Sequence, residues 1–341
     1  MTRTPTILLT GASGVVGRAI AAETRARVIG LAHSNADGPE ADELLIADLS
    51  RPLMGLDRAR WQALAKEIDG IVHSGALTEW GQPAARYDAI NIEGTRRVVE
   101  LAQAADVPIH LISTIFVLAL TEAADEVRRE NLVRNYIVSK LASERLVQAS
   151  GVPHTIFRPT NLVGDSRTGA SLRPQIVQAL ADFVCRGHAP YFPSHPGNLI
   201  DVAPLDALSL PVARAAEGEA QEGIYYVSYG AEAMTVQTAL SVLGEHAREI
   251  GREIAQAEVV DPRETLPVPL EQVRGSLRPF VRVGIDVSEV THASGGVLPS
   301  SLPELRERFG VPAVSPVDAF RRSLDYWADR RGKPRVTLEA R

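Results

Sequence analysis

The stretch TILLTGASGVVGRAI, Thr6 to Ile20, decides the fold class. Thr6–Thr10 is a short apolar run of strand length. Gly11, Gly14 and Gly17 follow at three-residue intervals, and a helix-period segment begins at Val15. Between a strand and a helix, glycines let the backbone turn sharply, let a dinucleotide pyrophosphate approach, and let the helix pack on the strand, with the phosphates at the helix N-terminus. Three glycines alone are a weak signal, and a tight structural turn is the competing reading. The context favours a dinucleotide site built from Gly11, Ser13, Gly14, Val15, Val16, Gly17 and Arg18.

Outward from this loop, apolar runs alternate with helix-period segments through the first 160 residues or so, the pattern of a parallel sheet covered on both faces. Strands are expected at Thr6–Thr10, Arg27–His33, Leu44–Asp48, Gly70–Gly75, Ile109–Thr114 and His154–Pro159. Helices are expected between them. In IEGTRRVVELAQAA, Val98, Val99, Leu101 and Ala102 form an apolar face, with Arg96, Arg97 and Glu100 solvated. YIVSKLASERLVQAS is closed by Gly151 and Pro153. After Gly164 the texture changes: GHAPYFPSHPGNLIDVAP and DPRETLPVPL are Pro-rich and read as loops, while TVQTALSVLGEHAREIG and LPELRERFG read as helices. The expected class is α/β, a Rossmann-like doubly wound parallel sheet over residues 1–165 with a return segment about 200–230. A smaller C-terminal part is expected over 166–199 and 231–335, followed by a tail at 336–341; the terminal stretch RRGKPRVTLEAR is basic.

Net charge −6 with a pI near 5.8 argues against a nucleic-acid or anionic-membrane binder. The longest apolar run, IHLISTIFVLAL, is too short and interrupted to span a membrane. No secretory signal opens the chain, and the single cysteine, Cys185, excludes an intrachain disulfide and a cysteine-rich metal site, so a cytoplasmic location is expected. The scattered histidines lack metal-ligand spacing, and no metal is expected.

Of 36 basic residues three are lysines, Lys66, Lys140 and Lys333. Lysine differs from arginine in its compact ammonium and movable pKa. Lys140 stands four residues after Tyr136, so on a helix the phenol and the ammonium share one face. A solvated surface pair is the bland alternative; beside the glycine loop, the pair reads as catalytic, with Lys140 stabilising tyrosinate and Tyr136 passing a proton to or from a substrate oxygen. A third hydroxyl from a strand end is expected at Thr114, with Ser113 the fallback. Asn91 is expected either to support Lys140 through a water or carbonyl relay, or to cap the helix that follows.

For the cofactor, His33 and Ser34 end the second strand, with no acid there to accept from a ribose 2′-OH. With Arg18 nearby, NADPH is the expected cofactor and NADH the alternative. Asp48 and Leu49 follow the third strand, where a carboxylate can accept from adenine. Ser74, Gly75 and Ala76 end the fourth with the small residues that a nearby cofactor requires.

Together these residues resemble the extended short-chain dehydrogenase/reductase family, whose pattern includes T-G-x-x-G-x-x-G, a strand-end Ser/Thr, Tyr-x-x-x-Lys and a later Arg-Pro. Within it, ADLSRPLMGL, IVHSGALTEW, NIEGTRRVVELA, YIVSKLASERLV and especially FRPTNLVGDSRTG (Phe157–Gly169) resemble thioester reductase domains, the terminal reductases of carrier-protein assembly lines and of carboxylic acid reductases. The resemblance implies a triad of Thr114, Tyr136 and Lys140 supported by Asn91. It also implies that Pro159, Thr160, Asn161 and Leu162 pass beside the nicotinamide, that Asp201–Asp206 returns the chain to the sheet, and that the C-terminal part binds substrate. The expected reaction is hydride delivery to a carbonyl carbon, from acyl thioester to aldehyde or alcohol, on a small-molecule or carrier-tethered substrate, with an acyl or peptidyl carrier protein as partner. Trp80, Phe116, Tyr191 and Phe192 are expected to line the substrate pocket. A reductase of free ketones or aldehydes is the alternative; a sugar-nucleotide epimerase and a non-catalytic cofactor sensor are weaker ones.

Overall fold

The computed structural model describes residues 3–33, 41–219 and 222–332. Its first half alternates strand and helix: β1 Thr6–Thr10, α1 Val15–Glu23, β2 Arg27–Ala32, β3 Glu43–Ile46, α2 Arg58–Glu67, β4 Gly70–His73, α3 Ala84–Tyr87, α4 Glu93–Ala105, β5 Ile109–Ile112, α5 Leu118–Glu122, α6 Arg134–Gln148 and β6 His154–Pro159. The remainder adds β7 Asn161–Val163, α7 Ile176–Cys185, β8 Phe192–Pro193, β9 Val202–Pro204, α8 Asp206–Arg214, β10 Gly223–Val227, α9 Val236–Glu249, β11 Val259–Val260, α10 Arg278–Ala293, α11 Leu302–Phe309 and α12 Pro316–Arg330. Seven strands form one sheet in the order β10-β6-β5-β4-β1-β2-β3, and all their pairings are parallel. The order reverses between β1 and β4, which opens a crevice at their C-terminal ends.

Side chains alternate across a strand, so β1 feeds two cores. Ile7 and Leu9 pack with Ile20, Leu208, Val212 and Tyr225 on one face. Leu8 joins Ile29, Ile71, Val98, Leu101 and Ile109 on the other. Burial on both faces explains why β1, β4 and β5 read as near-continuous apolar runs. The apolar face of α4 is buried as its spacing predicts. Arg97 departs from the solvated reading, since it reaches inward to donate to the Leu49 carbonyl at 2.8 Å.

Some boundaries differ from expectation. Strand β5 ends at Ile112, because Thr114 instead caps a 3-10 turn, Ile115–Val117. A π turn, Asp88–Ile92, precedes α4, which places Asn91 inside a helix rather than at its cap. The edge strand β10 has no counterpart among the expected strands; it joins the sheet beside β6 only after an excursion of more than sixty residues, and such long-range pairing leaves little local signal. The Pro-rich stretch read as loop holds the short strands β8 and β9.

A separate apolar core gathers α7, α9, α10 and α12 around Val184, Leu240, Leu243, Val281, Phe320 and Leu324. The loop after β7 is locked beneath α12. A Cβ on Gly164 would stand 1.9 Å from the Gly169 carbonyl oxygen, and one on Gly169 (φ +70°) 2.0 Å from that of Arg322. Ser323 Oγ accepts from the Gly164 amide (3.1 Å) and from Gln178 Nε2 (2.8 Å). Among the described residues no helix is long and apolar enough to cross a membrane.

Candidate active site

The glycine loop crosses β4's exit at contact distance. Gly11 has φ +68°, and a Cβ there would meet the Gly75 backbone at 2.8 Å; one on Gly17 would lie 2.2 Å from the Gly11 carbonyl oxygen. Gly14 precedes α1 without a side-chain cap, and the first turn carries no acid, so its N–H groups are left for an anion. Thr10 Oγ1 accepts from the Gly75 amide (2.9 Å) and bonds His73 Nδ1 (2.7 Å), which ties the two loops together. Ser13, Val16, Ser74 and Ala76 are half-buried along this crevice, whereas Val15 is buried. Leu49 lies against Gly75, where a Cβ would approach its Cδ1 to 2.9 Å. Asp48 accepts from the Ser50 amide and hydroxyl, and these bonds, aided by His33 and Arg51, lower its pKa against the effect of burial. His33 is exposed; Ser34 lies outside the described residues. Arg18 Nε donates to the Ser13 carbonyl at 3.3 Å. An open helix start, backbone with no room for side chains and a carboxylate at a neighbouring strand end fit a dinucleotide.

Helix α6 buries Tyr136 and Lys140 one turn apart. A hydrogen bond links the Tyr136 hydroxyl to the Thr114 side chain; burial pushes the phenol up, the Thr114 bond pulls it back, and Tyr87, its ring 6.4 Å away, pushes it up again. Lys140 Nζ donates to the Ile112 carbonyl at the end of β5. Burial brings this ammonium down to about 8, and Glu144 acts in the opposite sense. His73 is neutral: burial, and after it the Lys140 charge, hold its pKa down to about 3. Ser113 Oγ is buried without a partner, so it is Thr114 that meets Tyr136.

Asn91 is a clamp rather than a cap. Its Oδ1 accepts from the Leu77 amide (2.7 Å), and its Nδ2 donates to the Leu77 carbonyl (3.1 Å) and Ser139 Oγ (2.8 Å). Thr95 Oγ1 donates to the Asn91 carbonyl (2.6 Å) and meets His73 Nε2 (3.1 Å). A buried polar ladder thus runs from Thr10 through His73, Thr95 and Asn91 to Ser139 on α6. Sequence reasoning places His73 only in a small-residue turn, and it misses Glu144 and Arg158, which form a buried ion pair behind Lys140. The signals are present as a carboxylate four residues after Lys140 and as the arginine of FRP.

A cavity of about 140 Å³ adjoins the strand ends. Its walls include Phe116, Thr160 and Asn161 from that side, Tyr191 and Phe192 from the β8 segment, and apolar side chains of α7, α9 and α10 such as Leu180, Val184, Leu243 and Phe280. Thr160 is fixed by its amide to the Val227 carbonyl (3.1 Å) and by Oγ1 to that of Asp201 (3.0 Å). Pro159 is buried, and Leu162 packs on the β1 core. Trp80, expected in the pocket, is not among its walls. It packs instead with Tyr87, Ile115 and Phe116, because the loop after β4 folds back over that cluster.

The NAD-binding family model described as "Male sterility protein" matches residues 42–210, starting after the glycine loop. A linear gramicidin synthase of Brevibacillus parabrevis is 34% identical over 179 residues, 48% of this chain and 3% of that protein. Isonitrile lipopeptide synthase of Streptomyces coeruleorubidus is 35% identical over 132 residues, 36% of this chain and 9% of that protein. The chain therefore spans a small fraction of these curated relatives. Among solved structures, the terminal R domain of the myxalamid PKS-NRPS pathway superposes with a TM-score of 0.73 at 25% identity, covering 98% of this chain and 94% of that one. The Bordetella bronchiseptica enzyme WbmH, solved with NAD+, shares the fold with a TM-score of 0.64 at 16% identity, over 96% of this chain and 99% of that one.

Proposed function

This chain belongs to the extended short-chain dehydrogenase/reductase family, on its thioester-reductase side, and from that premise we propose that it reduces a carrier-tethered acyl thioester with NADPH. It is an NAD(P)-dependent oxidoreductase. The observation that carries the proposal is the Thr114–Tyr136 hydrogen bond with Lys140 one turn away, beside a cavity walled by Phe116, Thr160 and Asn161.

Nicotinamide, when bound, supplies the hydride. The chain's own residues do the rest. The hydroxyls of Thr114 and Tyr136 donate to the thioester oxygen as it gains charge, and Tyr136 gives it its proton. Lys140, one turn further along the same helix, favours the tyrosinate left behind. The hemithioacetal formed in this way expels thiol to leave an aldehyde. The acyl chain lies along the apolar walls contributed by α7, α9 and α10, in the part of the chain that we assign to substrate. Gly11, Gly14 and Gly17 cradle the pyrophosphate and Asp48 faces the adenine; Arg18 and His33, with no acid at the end of β2, support a 2′-phosphate. An acyl or peptidyl carrier protein is the proposed partner, supported by relatives that are modular synthetases, and the cytoplasm the proposed location.

The test is NADPH consumption with mass-spectrometric product identification, offering carrier-bound and CoA thioesters beside free ketones and aldehydes. Aldehyde or alcohol appearing with stoichiometric thiol release is the expected result. Turnover confined to free carbonyls would replace the thioester reading with a ketone or aldehyde reductase.

A further inference from the structure

Behind the lysine lies a pair of charges that the reaction does not touch. Glu144 sits one turn after Lys140 on α6, its side chain 1% exposed. Arg158 grips it from β6 with two prongs, Nε to Oε1 at 3.0 Å and Nη2 to Oε2 at 2.6 Å. Arg158 is itself held by β10: its Nη1 donates to the Tyr226 hydroxyl at 3.2 Å, and its guanidinium lies 5.6 Å from the centre of that ring. A bidentate arginine fixes the carboxylate in one orientation. The pair is therefore an oriented dipole fixed between α6 and the sheet.

We infer that Glu144, held in place by Arg158, is a positioning residue that holds the Lys140 side chain in its charged form. The groups facing Lys140 are the Ile112 carbonyl on β5, neutral His73 on β4, and Tyr136 and Glu144 on its own helix. Burial works against the ammonium, and Glu144 is the charge that works for it. Arg158 approaches the carboxylate from β6, whereas Lys140 stands on the same helix as Glu144, and of the two charges it is Glu144 that acts on the ammonium. The inference explains why an ion pair, costly to bury, stands where an apolar contact between α6 and β6 would serve for packing.

The mechanistic consequence rests on the proposed reductase reading, but the test does not. The chain has three lysines, so the protein labelled with 13Cε-lysine gives a spectrum in which Lys140 is identified by its disappearance in Lys140→Arg. The Lys140 resonance is expected to titrate near pH 8. In Glu144→Gln its midpoint should fall by about one pH unit, and Glu144→Asp should restore it toward the parent value. Should Glu144→Gln leave Arg158 unpaired and fail to fold, Glu144→Gln/Arg158→Gln removes both charges while keeping amides that can pair, and a smaller fall is expected, because the repulsion from Arg158 goes with it. An unchanged midpoint, accompanied only by a lower Tm, would make the pair a structural staple and overturn the inference. If the reductase reading fails instead, no thioester is consumed, yet the lysine midpoint still moves.

Discussion

Tyr136 and Lys140 are each buried against the preference of their charged forms, so each carries its own prediction. Tyr136→Phe keeps the ring in its cluster and removes the hydroxyl that meets Thr114. Turnover should drop by about 10²–10⁴-fold, with NADPH affinity, measured by fluorescence titration, nearly unchanged. Lys140→Met should abolish turnover and raise stability. The folded ammonium has a pKa of about 8 against an ordinary 10.5, so the native state holds its proton less tightly than the unfolded chain does. Its unfavourable contribution is full at neutral pH and disappears as pH rises from 8 to 10.5, up to about 3 kcal/mol. Denaturant titrations should show that rise in the parent and its absence in Lys140→Met, with the variant the more stable of the two at pH 7. A variant less stable at pH 7 would refute this account. The pair itself is legible from its spacing taken together with the glycine loop. The residues that tune it are not: Glu144, Arg158 and His73 come from three elements, and their meeting is set by strand order, which no local pattern encodes.

At the level of elements, β5 carries a titration signature. His110 is buried in it, with Nδ1 unpartnered, and burial holds its pKa down to about 4. The unfolded chain takes up a proton at this residue near pH 6.5, well before the folded one does. The stabilisation is therefore present above pH 6.5 and lost as pH falls toward 4, by up to about 3 kcal/mol. His110→Leu should reduce the fall in stability between pH 6.5 and 4 by about half, since His73 titrates across the same window, as read from urea midpoints at each pH; an unchanged slope would assign acid sensitivity elsewhere. The β1–α1 turn carries a second prediction. Gly17→Ala places a methyl group 2.2 Å from the Gly11 carbonyl oxygen, so the turn must open, and dinucleotide affinity should fall at least tenfold in a calorimetric titration. Strands β1, β2, β4 and β6 are legible because burial on both faces writes them as apolar runs. Strand β10, GIYYV, is not: it lies more than sixty residues after β6 and finds it only through tertiary pairing.

For the whole molecule, the sheet holds the crevice and the helical core beyond it holds the cavity, so the proposed function places affinity for cofactor and choice of acyl group in different packing units. Gly284 on α10 lines the cavity, and a Cβ there would lie 3.0 Å from Pro193. Gly284→Leu should narrow it and lower kcat/KM for long acyl thioesters at least tenfold relative to acetyl, with NADPH affinity retained. Equal loss for short and long chains would place the acyl group elsewhere. The loop under α12 bears on how such proteins are rebuilt. Its two glycines leave no gap between Gly164, Gly169 and the Arg322 backbone, and Ser323 bonds across the seam. The GDSRTG fingerprint is thus the imprint of one stretch of main chain laid over another, a packing constraint written into the sequence. A chimaera that swaps acyl specificity by grafting the C-terminal helices must therefore transplant loop and terminal helix as a single cassette; separated, each half would meet a mismatched lock.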